Sequence, residues 1–84
     1  MLSRRRPLPF NPTTVISFEL AMMSRVKITV FDLLGREIAV LINEEKPAGP
    51  HRVEWNGSNL PSGVYFARLQ AGTFVQTQKL VLQK

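Results

Sequence analysis

Trp55-Asn56-Gly57-Ser58-Asn59-Leu60-Pro61-Ser62-Gly63-Val64-Tyr65-Phe66 is the stretch that decides the fold of this 84-residue chain. An aromatic able to close a strand is followed by an Asn-Gly turn signal. Next come Leu60-x-x-Gly63-x-Tyr65 and an alternating segment from Val64 to Leu69. In β-sandwiches a tyrosine just inside a strand, shortly after a corner, bonds its hydroxyl back to the corner's backbone. A buried phenol needs such a partner, because an unpaired buried hydroxyl costs about 1–3 kcal/mol. Gly63 suits the sharp approach, since a residue without a Cβ accepts positive φ. The stretch is therefore expected to be a sandwich corner, with Trp55, Gly57, Leu60, Gly63 and Tyr65 as its structural residues. The alternative is an ordinary strand that happens to begin with Val-Tyr-Phe.

Period-two alternation dominates on both sides of this corner. Upstream, Ile16, Phe18 and Leu20 share one face of Thr14–Leu20 while Ser17 and Glu19 take the other. Ala21-Met22-Met23-Ser24 is apolar for a connection, and one methionine is expected to fold over the end of the core. Arg25–Asp32 alternates again, with Val26, Ile28 and Val30 inward. Asp32-Leu33-Leu34-Gly35 has the composition of a type I turn closed by a left-handed Gly35, hence a tight hairpin. In its partner, Arg36–Ile42, Ile38 and Val40 are the expected inward residues, with a bulge near Leu41 and Ile42 where the period blurs. The segment 43–50 reads as a polar connection broken by Pro47, Gly49 and Pro50. His51–Trp55 is the next strand, with Val53 and Trp55 inward. Beyond the corner, Tyr65, Ala67 and Leu69 alternate with Val64, Phe66 and Arg68, and a short turn at Ala71-Gly72 leads to a last strand, Thr73–Leu82. No segment of ten or more residues has a helical period. An all-β fold follows, a small Ig-like antiparallel β-sandwich of six to seven strands.

One core is all that 84 residues can build. A chain of this size buries only somewhat over ~60% of the surface its unfolded form exposes, so modest stability is expected. The domain is expected over residues 13–84, preceded by an extended Pro/Arg-rich arm or linker remnant at 1–12. Pro7, Pro9 and Pro12 push their predecessors toward β or polyproline conformations. This arm is either a linker or a strap along a sheet edge, anchored by Phe10. The absence of cysteine excludes disulfides and thiol chemistry and leaves the compartment open. Three of the +5 formal charges are Arg4, Arg5 and Arg6, which leaves +2 for the rest, with both signs interspersed. Interspersed charges on alternating strands mark solvated faces, so nucleic acid is not an expected partner. No apolar run approaches the roughly 20 residues of a membrane helix, and no signal peptide is visible.

Catalytic chemistry finds no support in the residues. The single histidine, His51, has no nucleophile or orienting acid at helpful spacing and reads as a surface residue opening a strand. Glu44 and Glu45, the only dense acidic patch, fall far short of a calcium loop and are expected to be solvated. No catalytic residue, cofactor or metal site is expected. Recognition functions remain, by strand addition or loop docking. The candidate element is the tail Lys79-Leu80-Val81-Leu82-Gln83-Lys84, a short apolar run bracketed by cations. The alternative for that tail is a final edge strand whose lysines prevent edge-to-edge aggregation.

The order of landmarks resembles a known family. Pro9-Phe10-Asn11-Pro12 leads into Ile16-Ser17-Phe18-Glu19-Leu20, then Val26–Glu37 with its Asp32-Leu33-Leu34-Gly35 turn, then Ala48-Gly49. Val53-Glu54-Trp55-Asn56-Gly57, Leu60-Pro61-Ser62-Gly63-Val64-Tyr65 and a Lys-rich apolar end follow. This looks like the C-terminal sorting domain (type A) of the type IX (Por) secretion system, found on cargo proteins of Bacteroidetes and related phyla. It is also similar to the Ig-like module of flagellar hook-capping proteins. The resemblance spans about residues 9–84.

It implies a passive export address. Cargo crosses the inner membrane by a Sec signal and the outer membrane through the type IX translocon. An outer-membrane shuttle protein recognises the domain, and a sortase-like peptidase removes it at the cell surface. Carried over, the recognition residues are Lys79, Leu80, Val81, Leu82 and Lys84, on a monomeric domain that inserts in no membrane. Arg5-Arg6-Pro7-Leu8 and Ala21-Met22-Met23 depart from the family's pattern. With neither cargo nor signal peptide in the chain, it is expected to be either the end of a longer secreted protein or a stand-alone module exported differently. Two further hypotheses stand beside the sorting signal. One is a structural Ig-like assembly or adhesion module, which tolerates loss of the tail. The other, poorer one is a basic-armed nucleic-acid binder dependent on Arg4, Arg5 and Arg6.

Overall fold

Strand formation follows the alternation. The computed structural model describes residues 9, 10 and 13–83, and these hold seven strands and no helix. They are β1 (Pro9–Phe10), β2 (Thr13–Leu20), β3 (Ser24–Asp32), β4 (Glu37–Lys46), β5 (Gly49–Asn56), β6 (Gly63–Ala71) and β7 (Phe74–Leu82). β2 and β5 pair antiparallel as a two-stranded sheet. The other five form a sheet in the order β1-β7-β6-β3-β4. All its pairings are antiparallel except the short β1, which lies parallel to the end of β7 with Pro9 opposite Val81 and Phe10 opposite Leu82. The two sheets pack face to face as a small β-sandwich. A backbone contact of the arm with the sheet edge is thus present at residues 9 and 10. The Phe10 side chain and the rest of the arm, including Arg4, Arg5 and Arg6, lie outside the described residues.

The core sits where inward positions of both sheets meet. Ile16, Phe18 and Leu20 of β2 and Trp55 of β5 close over Val26, Ile28 and Val30 of β3, Tyr65, Ala67 and Leu69 of β6, and Leu80 and Leu82 of β7. Each buried branched or aromatic side chain contributes about 1.5–3 kcal/mol of transfer free energy. This is what holds a domain of this size together.

Four expectations are corrected. Ile38 and Val40 are 36% and 44% exposed, whereas Ala39, Leu41 and Ile42 pack against the core. The cause is two register shifts in the β3–β4 ladder, which leave Leu41 and Ile38 each as an extra residue. Every such insertion reverses which side chains face inward. The expected bulge at Leu41 is present; the second one, at Ile38, is not legible in the sequence. Residues 43–46 are strand, not loop, because Asn43–Lys46 continue the ladder opposite Ser24–Lys27. Their polarity is tolerated because β4 is the edge strand of its sheet and Asn43, Glu44 and Glu45 are exposed. Met22 and Met23 both point to solvent, so neither caps the core. His51 is half-buried on the inward side of β5, its ring stacked on Phe18 at 5.3 Å and its Nε2 2.8 Å from the Pro47 carbonyl oxygen.

Candidate recognition surface

The corner is built as the spacing predicts. Asn56 Oδ1 accepts from the Ser58 amide at 2.8 Å, and the Leu60 amide donates to the Gly57 carbonyl at 3.0 Å. These two bonds fold the chain back after Trp55. Tyr65, at the third position of β6, then donates its hydroxyl to the Pro61 carbonyl at 2.6 Å. Its ring meets Trp55 edge to face with centroids 5.5 Å apart, a geometry that aromatic quadrupoles favour. Gly57 is buried and Leu60 half-buried. The corner joins β5 of the small sheet to β6 of the large one, so it fixes the sheets against each other.

At the same end lies the β3–β4 hairpin. Gly35 takes φ +83°, the left-handed conformation expected of it, and its amide donates to the Asp32 carbonyl at 3.0 Å. Asp32 Oδ1 accepts from the amides of Leu34 and Arg36, both at 2.9 Å, while Oδ2 accepts from Arg36 Nε at 2.7 Å. The Arg36 amide above all, with its guanidinium and the Leu34 amide adding to it, holds the Asp32 carboxyl below its ordinary 3.8, against a smaller opposing effect of burial. A lowered folded value means the turn's contribution is complete above the ordinary value and disappears as pH falls through the lowered one. The thermal midpoints of the native chain and Asp32→Asn are therefore expected to differ most near neutrality and to converge in strong acid. A gap that stays constant down to about pH 2 would show that the carboxylate charge does not support the turn. Leu33 and Leu34 project from the tip into solvent and line, with Ile38, Leu60 and Val64, an open cleft of about 370 Å³ between hairpin and corner.

The pleat divides the expected recognition tail in two. Leu80 and Leu82 point inward and are 6% and 1% exposed, as part of the core. Lys79 and Val81 lie on the opposite, outer side of β7, where Lys79 is exposed and Val81 half-buried. Lys84 lies outside the described residues. Lys79 sits directly across from Phe66 of β6, and Val81 across from Val64. So the outward half of the tail belongs to a larger surface, the outer face of the five-stranded sheet.

That face joins an apolar strip to the cations Arg25, Lys27, Arg68 and Lys79, with Glu37 and Glu45 of β4 at its edge. Phe31 and Phe66 are direct cross-strand neighbours on it, and the Arg68 guanidinium carbon stands 4.6 Å over the Phe31 ring. The Arg68 Nε is buried without a hydrogen-bond partner among the described residues, as is the hydroxyl of the fully buried Thr29 beside it. A concavity of about 300 Å³ opens here, lined by Phe31, Asp32, Leu33, Gly35, Phe66, Arg68 and Thr77. Interspersed charge alone marks Arg68 as solvated; the sequence signal against that is an outward-register phenylalanine in each of two strands, at positions 31 and 66. Across the molecule, the small sheet's outer face is polar, with Ser17, Glu19, Arg52 and Glu54 around Val15.

Chemistry of other kinds has little to work with. Among the described residues no three histidine or acidic side chains come together as metal ligands. Glu44 and Glu45 are exposed on opposite sides of β4, and Glu44 meets Lys46 at 3.5 Å.

A β-sandwich that, among its described residues, exposes an apolar strip flanked by cations has the surface of a recognition module. Its family is equally plain: residues 7–83 match the secretion system C-terminal sorting domain, and the chain belongs to that family. The domain is thus a sorting signal of type IX secretion, which interacts with that machinery and marks cargo for the cell surface or the extracellular space. The family is generally non-catalytic. No curated protein matches the chain.

Proposed function

We propose that the end of β7 with the residues after it is the part of the signal that an outer-membrane shuttle protein reads, and that a sortase-like peptidase then removes the domain from its cargo. The observation that carries this reading is the two-sided tail. Leu80 and Leu82 anchor the strand in the core, while the exposed Lys79 and the half-buried Val81 lie on the outer side of a strand held between β6 and β1. A partner then meets a prefolded, rigid strand end and bears little ordering cost, which favours affinity. The domain acts as a monomer and supplies no catalytic group. Cargo bearing it crosses the inner membrane by a Sec signal.

The test is export of a fluorescent reporter carrying a Sec signal ahead of this chain in a type IX-competent bacterium. Surface display is expected with the native chain and periplasmic retention with Lys79→Glu/Lys84→Glu, at an unchanged melting temperature. Equal display of both would remove the basic end from the recognition site. A native fusion that folds but stays in the periplasm would defeat the sorting role itself.

A further inference from the structure

We infer that the outer face of the five-stranded sheet, centred on Arg68, is a docking surface for a carboxylate-bearing apolar segment of the type IX machinery. This inference rests on the export reading and names the chemistry of the partner. Three observations converge on it. The Arg68 guanidinium stands over the Phe31 ring at 4.6 Å, and a contact of this kind fixes a guanidinium in place while leaving its fork of donors for a planar anion. Its buried Nε has no partner among the described residues, although a buried donor ordinarily finds one. The outward positions of β3, β6 and β7 carry Arg25, Lys27, Arg68 and Lys79, while the acidic residues of the face, Glu37 and Glu45, stand on the edge strand β4 opposite Phe31 and Arg25.

The two faces of the sandwich also differ in apolar content. The small sheet's outer side carries Glu19 and Glu54 beside Arg52, as a solvated face does. The large sheet's outer side instead sets Phe31, Phe66, Val64 and Val81 in one apolar strip running to the end of β7. Asp32 at its border is already engaged by Arg36 and does not neutralise Arg68. An occupant with a carboxylate for Arg68, a second acidic group near Lys79 and apolar side chains for the strip matches all of these. The carboxylate accepts from the Arg68 donors in the concavity that Phe31, Phe66 and Thr77 line together with the Arg36-engaged Asp32. Charge complementarity also accelerates encounter between the partners.

Export of the same reporter fusion, with three variants, decides the matter. Arg68→Gln is expected to reduce surface display at least about tenfold, the factor lost with one charge-assisted hydrogen bond. Arg68→Lys, which keeps the charge but not the fork, is expected to fall between. Arg52→Gln, an equal loss of charge on the opposite face, is expected to leave display unchanged. Melting temperatures of the three isolated chains show whether folding is preserved. Native-level display of Arg68→Gln, with the native fusion exported, overturns the docking surface alone. A native fusion that is not exported overturns the export reading and this inference together. A concentration-dependent dimer in sedimentation that Arg68→Gln dissolves would put a second copy of the chain on the face and overturn the assignment to the machinery.

Discussion

Trp55→Ala is expected to lower the stability of the domain by about 3–5 kcal/mol, the range for truncating a fully packed large aromatic. Trp55 is 4% exposed and is the principal aromatic that the small sheet's β5 contributes to the core. It packs edge to face on Tyr65, so its loss removes the contact joining the sheets next to the corner as well as a large buried area. A domain this small starts with a stability near the lower end of the usual range of roughly 5–15 kcal/mol, so much of it disappears. Urea unfolding followed by circular dichroism measures the change directly. A loss below about 1 kcal/mol would mean that the indole is not part of the structural core. Trp55→Phe, which keeps an aromatic over Tyr65, is expected to recover part of the difference.

What the sequence made legible, and what it hid, divides along physical lines. β2 and β3 were readable because their alternation is uninterrupted: Ile16-x-Phe18-x-Leu20 and Val26-x-Ile28-x-Val30 each bury every second residue. The corner was readable because a buried phenol needs a partner and few spacings supply one. β4 was not, since the bulges at Leu41 and Ile38 change the facing twice within five residues, and alternation carries no mark of an extra residue. Nor was the strand character of 43–46, where an edge position tolerates polar side chains on both sides and two prolines and a glycine nearby suggest a loop. The division into five and two strands depends on long-range pairing that no local pattern encodes. For the recognition surface, Lys79 and Val81 could be named from the sequence. The Arg68–Phe31 stack could not, because its members are far apart in the chain and meet only through the β3–β6 register.

Deleting residues 79–84 is expected to unfold the domain, an outcome that bears on how any sorting tail of this architecture is tested. Leu80 and Leu82 together fill the end of the core under the corner, and each leucine-to-alanine change in such a site costs about 2–5 kcal/mol. The deletion also removes the ladder bonds from β7 to Gly63–Phe66 and the strand that β1 pairs with. Summed, the loss of about 4–10 kcal/mol rivals the whole stability of a small domain. The truncated chain is therefore expected to show a disordered circular dichroism spectrum and rapid proteolysis at room temperature. If it instead unfolds cooperatively with a midpoint within about 1 kcal/mol of the native chain, the inward leucines do not support the fold. Failure of the truncated chain in export would then follow from unfolding alone, whether or not a partner reads the tail. Substitutions confined to the outward positions, Lys79 and Val81, leave both leucines in place, so a loss of export in those variants reports on recognition itself.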